Sequence, residues 1–294
     1  MAGKKHAGVL FVDLTSGQFR EWSALRGSCY VTRPDRTAGD NVTDVTLDRQ
    51  GRRMAVSTDG FKVHLVDLKT GQAEFISHAG RPMTVRFSPD GESLLIAGWR
   101  DKKKHDKPMP LVLYDVASKS VKRDFEVSFD LYTAAISEDG RWVAAGVGMP
   151  PDPRLQIWDL HDPGSKPREL PQPVRVFTLA FRPQTPNELA TGDVNGSVRF
   201  WRLSAGTSDW TASEPPISHD KQVRVVSFSE DGRLLLVGGE DNSARVWDAT
   251  DRTAVGQRLD EWRSPDCSLV NSAAATAPRA LDSEEHQALR SVAR

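Results

Sequence analysis

Cysteine is scarce in this chain: there are two in 294 residues, Cys29 and Cys267. That excludes a disulfide scaffold and an all-cysteine metal site. The two lie near opposite ends of the sequence and are expected as unpaired thiols. Long apolar runs are missing too. Val9-Leu10-Phe11-Val12 and Leu94-Leu95-Ile96-Ala97 are among the longest, far short of the ~20 residues of a membrane-spanning helix. No sign of charge dominates: 39 Lys and Arg oppose 40 Asp and Glu, a formal net charge of -1. This balance argues against wholesale binding to nucleic acid or to an acidic membrane surface, both of which need a clear basic excess. Lys4 and Lys5 precede an apolar stretch that breaks at Asp13, so no secretory signal is visible and the cytoplasm is the default expectation. Catalytic signatures are absent as well. There is no Gly-rich phosphate loop ending in Lys-Ser/Thr, no His-Glu-x-x-His and no Gly-x-Ser-x-Gly. The chain is read as a non-enzyme without a cofactor or metal.

What the sequence does contain is a repeat. Hydrophobic residues make up 38% and charged residues 27%, enough for a packed core and too apolar for a disordered chain. Val85-Arg86-Phe87-Ser88-Pro89-Asp90-Gly91, Ala135-Ile136-Ser137-Glu138-Asp139-Gly140 and Val226-Ser227-Phe228-Ser229-Glu230-Asp231-Gly232 share one pattern, and the segments at 45–51 and 179–183 are weaker copies. Each runs through alternating apolar residues into an acidic-Gly turn, the mark of one strand reversing into another. An apolar run follows, such as Leu94-Leu95-Ile96 or Leu234-Leu235-Leu236, fit for a strand buried on both faces. After a second turn comes a strand ending in an aromatic or aliphatic residue and usually Asp: Val66-Asp67, Tyr114-Asp115, Trp158-Asp159, Trp201-Arg202 and Trp247-Asp248. A third turn leads to a fourth short strand. No helical periodicity interrupts the pattern.

Four short strands per unit, with a Trp-Asp ending, resemble the WD40 repeat, over about residues 40–255. The resemblance implies an all-β, WD40-type β-propeller, in which radial stacking buries both faces of each sheet and leaves only short edges. Trp158, Trp201 and Trp247 are expected to supply large buried areas between blades. Five full units occupy 42–255. Val9 to Gln18 closely matches Val63 to Gln72 and reads as half a blade within residues 1–30. The expected layout is one propeller over 1–270, five full four-stranded blades plus a partial one (six if closed by strands near Cys267-Ser268-Leu269-Val270), and a tail over 271–294. The other arrangement is a fragment or module of a longer repeat protein with a structural role.

The family places a His before a repeat, where it joins a hydrogen-bonded set with an Asp of the second turn, a Ser or Thr of the second strand and the Trp of the third. His78 and His219 stand at that position. In the last unit His219, Asp241 and Trp247 match, with Val237 or Gly238 in place of the hydroxyl. In the unit before it Thr191 and Trp201 match, with Asn195 in place of the Asp. Asp67, Asp115, Asp159 and Asp248 end third strands and are read as structural residues.

Two second turns depart from the short form. One runs from Trp99 to Pro110 and holds Arg100, Lys102, Lys103, Lys104 and Met109; the other runs from Gly148 to Pro153 and holds Met149. Equivalent turns of consecutive blades belong to one face, and in WD40 propellers that face is the usual partner-binding side. Trp99, Arg100, Met109 and Met149 are the expected anchors and the lysines a steering rim for an acidic segment. The resemblance implies a non-catalytic scaffold for a protein or peptide partner. The competing reading is a sensor or enzyme that holds a small ligand in the central channel, which needs convergent polar groups there. Oligomeric state is not encoded in any of these features.

Overall fold

The computed structural model describes residues 9–12, 19–22, 42–58, 60–77, 80–100, 111–127, 130–148, 153–164, 166–204, 209–241 and 243–259. The chain falls into two compact units, Met1–Leu131 and Tyr132–Arg294. In the first, β1 (Val9–Val12) and β2 (Phe19–Trp22) form an antiparallel pair. One four-stranded sheet follows from β3 (Val42–Leu47), β4 (Arg53–Thr58), β5 (Lys62–Asp67) and β6 (Ala73–Ser77), and a second from β7 (Gly80–Phe87), β8 (Ser93–Arg100), β9 (Leu111–Asp115) and β10 (Ser120–Asp124). Three more come after them: β11 (Leu131–Ile136), β12 (Trp142–Val147), β13 (Arg154–Asp159) and β14 (Arg168–Pro171); β15 (Val176–Phe181), β16 (Glu188–Asp193), β17 (Ser197–Leu203) and β18 (Trp210–Ser218); β19 (Val223–Phe228), β20 (Leu234–Gly239), β21 (Ala244–Asp248) and β22 (Ala254–Leu259). Strands pair in chain order, so these are five antiparallel four-stranded blades of a β-propeller fold, and no helix occurs among the described residues. The segment around Cys267 and the tail over 271–294 lie outside the described residues.

The three larger cores each lie between two consecutive blades, and a small one of Met54, Val56 and Val66 lies on the first blade. In the first unit Ala55, Val63, Leu65 and Ile76 meet Val85, Phe87, Leu94, Ile96, Val112 and Tyr114. In the second, Trp142, Leu155 and Ile157 meet Val176, Phe181, Leu189, Trp201 and Trp210, and Val198, Phe200 and Ile217 meet Val223, Leu235 and Val237. The second strands therefore need two apolar faces, and β12 and β16 are buried at every position. The outermost β10 and β14 are almost wholly exposed or half-exposed and carry polar residues. Trp142 and Trp210 pack edge to face, with ring centroids 5.7 Å apart.

The acidic-Gly turn is a small polar machine. Ser88 Oγ donates to Asp90 at 2.5 Å and accepts from the Ser93 amide at 2.9 Å, while Asp90 accepts from the Glu92 amide at 2.9 Å. Ser137 with Asp139, and Ser229 with Asp231, repeat the arrangement. In the first blade Asp48 replaces the serine and takes the amides of Arg52 and Arg53 directly. The turn glycine has φ of 72° at Gly91 and 68° at Gly232, a region that costs other residues energy. It also admits a neighbour. Arg53 Nη2 donates to the Gly91 carbonyl at 2.7 Å, and Arg182 Nε donates to the Gly232 carbonyl at 2.7 Å, each from the preceding blade. A Cβ at Gly232 would lie 2.6 Å from the Pro183 carbonyl oxygen.

The Asp residues that end third strands cap the next turn. Asp67 accepts from the amides of Lys69 and Thr70, Asp115 from that of Ser118, Asp159 from that of His161 and from Arg141 through two nitrogens, and Asp248 from that of Thr250. Trp158 and Trp201 are buried, at 3% and 7% exposure. Trp247 is only half-buried, as is the whole of β21; among the described residues of the second unit its blade has a neighbouring blade on one side alone.

Trp201 Nε1 donates to Thr191 Oγ1 at 3.0 Å inside the core. Asn195, placed by the sequence reading at the Asp position of that turn, is exposed. The acid of the turn is Asp193 instead, which is buried and accepts from the amides of Asn195 and Ser197 and from Arg199. In the last blade His219 Nε2 and Asp241 Oδ1 lie 3.0 Å apart. Gly239 makes room for that imidazole, since a Cβ there would stand 2.2 Å from its Nε2. Opposite Arg245, where the preceding blade has Thr191 opposite Arg199, stands Val237, and the Trp247 indole nitrogen has no partner among the described residues. His78 lies outside the described residues.

Two outcomes are expected. Thr191→Val leaves the buried Trp201 N–H unmatched and lowers the unfolding free energy by about 1–3 kcal/mol, whereas Val237→Thr gives Trp247 an acceptor and raises it by about 0.5–1.5 kcal/mol, both read by urea denaturation. The second concerns acid. Burial pushes the Asp48 and Asp90 carboxyls up, but the hydrogen bonds from Arg53 and Arg52, and from Ser88 and Glu92, outweigh it and hold both below the usual range. Hydrogen bonds from Ser229 and Arg233 lower Asp231 likewise. Such groups stabilise the fold above the unfolded carboxylate pKa of about 3.9, and that contribution is lost as pH falls through the lower folded values. The melting midpoint is expected to stay level down to about pH 5 and to fall steeply below about pH 4.

Candidate interaction site

The first strands of the second unit run side by side, with β15 next to β19. Their pairing with the second strands slips by one residue at the same place, between Val176 and Thr178 and between Val223 and Val225. The first unit has the same irregularity between Val42 and Asp44 and between Pro82 and Thr84. A bulge leaves one residue out of the ladder and re-aims its side chain. Here the bulged residues are Phe177 and Arg224, and the second residue of β11 is Tyr132.

These side chains form a continuous stack. The Arg175 guanidinium lies 4.5 Å from the Tyr132 ring centroid and donates to the Tyr132 hydroxyl at 2.9 Å. The Tyr132 and Phe177 rings are 5.1 Å apart, tilted by 35°. The Arg224 guanidinium caps the other end, 4.4 Å from the Phe177 centroid. Cations over aromatic faces are attracted by the ring quadrupole. Arg224 also donates to the Glu240 carboxylate. Gln222, with its amide oxygen turned toward the same guanidinium, accepts at 3.2 and 3.3 Å. Tyr132 and Phe177 are half-exposed and Arg224 is exposed, so the row faces solvent along part of its length. It offers flat apolar faces edged by guanidinium, the side-chain types that anchor protein interfaces.

The repeat pattern does not mark this row. One signal was available: Tyr132, Phe177 and Arg224 each stand four residues before the last residue of their strand, Ile136, Phe181 and Phe228. Strict alternation gives the wrong face there, because a bulge shifts the phase of every residue before it.

Of the anchors expected from the long turns, Trp99 is described. It sits near the end of β8, half-buried, with the Arg81 guanidinium 5.2 Å from its ring centroid. β7 and β8 are eight residues long where the first two strands of the other blades have six, so this hairpin reaches further toward its turn. Lys102, Lys103, Lys104, Met109 and Met149, and the side chain of Arg100, lie outside the described residues. Among the described residues no group of three His, Cys, Asp or Glu is placed to hold a metal ion, and no helix is long and apolar enough to cross a membrane.

Residues 216–248 match the family model of the WD domain, G-beta repeat. Over 269 residues, 83% of this chain, the sequence is 23% identical to Transducin beta-like protein 3 of Rattus norvegicus, of which it covers 32%. An uncharacterized WD repeat-containing protein of Schizosaccharomyces pombe is 30% identical over 122 residues, 37% of this chain and 21% of that protein. Target of rapamycin complex subunit LST8 of Rattus norvegicus is 30% identical over 117 residues, 39% of this chain and 34% of that protein. The chain thus spans about a third or less of these relatives. Residues 216–248 thus carry a WD repeat, and the pattern written through all five blades is similar to it.

Proposed function

We propose that this protein is a non-catalytic scaffold that binds a protein or peptide segment, with the Arg175–Tyr132–Phe177–Arg224 row as its principal contact. The observation that carries the reading is the bulge that lifts Phe177 and Arg224 out of their ladders into a half-exposed stack. A bulge repeated at one strand position costs ladder hydrogen bonds, and such features recur where a side chain is presented for use. Its side chains already hold one another through ring and guanidinium contacts, so less side-chain entropy is lost when a partner lands on them. One relative is named as a subunit of a complex, which supports a role in assembly. The long second turn of the first unit is a further contact in this reading, with Trp99, Arg100 and Met109 as anchors and Lys102, Lys103 and Lys104 as a basic rim. Met149 of the next long turn is proposed as another anchor.

Affinity capture followed by mass spectrometry tests the main contact. Phe177→Ala is expected to lose about tenfold of each specific partner, the effect of removing an interface anchor. Lys69→Ala, in an exposed turn after a third strand, is expected to retain them. Retention by Phe177→Ala with an unchanged melting curve would remove the row from the site. Joint replacement of Trp99, Arg100 and Met149 by Ala is expected to reduce capture further without moving the melting transition.

A further inference from the structure

Each of the five blades ends in an outer strand, and an outer strand presents a row of backbone groups with no neighbouring strand. Four of the five are blunted. β10 slips in register between Val121 and Arg123 and carries Lys122 and Arg123. β14 has four residues, of which Arg168 and Glu169 are charged and Pro171 is the last. β18 holds Pro215 and Pro216, and its ladder breaks at them. β22 shifts register between Ala244 and Val246 of β21 and has Gly256 at a φ of 72°. Bulges, charges and prolines are the devices that keep a sheet edge from pairing with another chain. β6 has no bulge, proline or glycine. It pairs with β5 over five residues in unbroken register, and its one charged residue, Glu74, is held by Lys119 of the next blade.

The turn before β6 fixes which of its backbone groups face outward. The Asp67 amide donates to the Gln72 carbonyl at 2.9 Å, so these two residues form a bonded pair. Bonded and non-bonded pairs alternate along an antiparallel ladder. Leu65 with Glu74 and Val63 with Ile76 are therefore bonded pairs, and the amides and carbonyls of Ala73, Phe75 and Ser77 point away from β5. The Leu68 amide, donating to the Arg52 carbonyl at 2.8 Å, sets the same phase from the β4 side. Among the described residues no hydrogen bond reaches the outward groups of Ala73 or Phe75. Phe75 is also the most exposed large apolar side chain among them, at 60%. The Lys62 ammonium lies 5.3 Å from its ring centroid and helps to hold the ring in place.

We propose that β6 is a contact between two copies of this protein, which join their β6 strands antiparallel about a two-fold axis at Phe75. The strand is its own complement. Its outward groups lie symmetrically about Phe75, so the pairing sets Phe75 against Phe75 and Ala73 against Ser77, and each such pair exchanges two backbone hydrogen bonds. Phe75 gains an aromatic cross-strand neighbour, and the residues two places away on either side, Ala73 and Ser77, are small. Glu74 falls opposite Ile76, so no two like charges face each other. A two-fold contact uses each edge once and stops at the dimer. Five residues a side is far below the roughly 20–30 of a stable interface, which places the dissociation constant at about 10–100 µM. The inference does not depend on the protein-binding row, whose residues belong to the other compact unit. A dimer carries that row twice, and a partner with two copies of its own segment gains avidity from it.

Sedimentation velocity on the full chain, from about 1 to about 300 µM, tests this, and a reversible passage from monomer to dimer within that range is expected. Phe75→Pro removes an outward amide and leaves the β5 ladder its hydrogen bonds, a place where an edge strand accepts proline. It is expected to weaken dimerisation at least about tenfold with an unchanged melting curve. Phe75→Lys keeps the amide but sets two like charges against each other across the axis, and about the same loss is expected, smaller in high salt. This second variant decides the matter if proline lowers the melting transition. Val121→Lys, on the bulged β10, is expected to leave the dimer as it is. A chain that stays monomeric at every concentration overturns the proposal. So does a dimer that forms as readily with Phe75→Lys as without it, because the copies then meet through another surface.

Discussion

Every feature of this chain depends on the burial of a sheet that is apolar on both faces. A four-stranded antiparallel sheet with β12 or β16 at its interior has no side to turn to water. Its apolar side chains are covered only if another sheet lies against it, and each buried Leu, Ile or Phe then contributes about 1.5–3 kcal/mol. The repeat supplies that second sheet from the next stretch of chain. The cores between consecutive blades are thus the units of stability, and no blade is a folding unit by itself.

Burial on that scale obliges the turns to satisfy their own polar groups. The Ser-x-Asp-Gly turn does so locally: serine and aspartate take the amides that the reversing chain leaves unpaired, and glycine allows the sharp bend. The carbonyl of that glycine is then used by an arginine of the blade before it, Arg53 on Gly91 and Arg182 on Gly232. At the inner strands Asp44 accepts from the Val85 amide at 3.0 Å and Thr178 from the Val226 amide at 3.3 Å. One repeat position thus tethers the first blade to the second, and the fourth to the fifth, with a side-chain acceptor. These contacts set spacing and register between sheets that hydrophobic contact alone would leave free to slide.

The proposed binding row is a by-product of the same geometry. Inner strands approach one another closely, so a residue lifted out of the ladder on one meets its counterpart on the next. With Tyr132, Phe177 and Arg224 at those places the meeting becomes a cation–π stack. Other residues at the equivalent places, Thr43 and Met83, use them differently: Thr43 donates to the Pro82 carbonyl at 2.7 Å. Binding chemistry in this architecture follows from the residue type at one bulged position per blade, with the frame unchanged.

Much of this was legible in the sequence because it is local. Alternation, acidic-Gly turns and Trp-Asp endings act over a few residues, and they determined strand order and blade composition and marked Asp67, Asp115, Asp159 and Asp248 as the ends of third strands, whose capping bonds only the structure shows. Three further things were decided only by the tertiary structure. Asp193 took the place in its turn that the spacing assigned to Asn195, because the buried acid is the one within reach of Arg199. Trp247 stayed half-buried although its sequence context matches that of Trp201, because burial depends on what stands beside a sheet and not on the sheet. The stacked row escaped notice because a bulge changes the phase of a strand without changing its composition, and because its members come from strands about 45 residues apart, joined only when the blades close on each other.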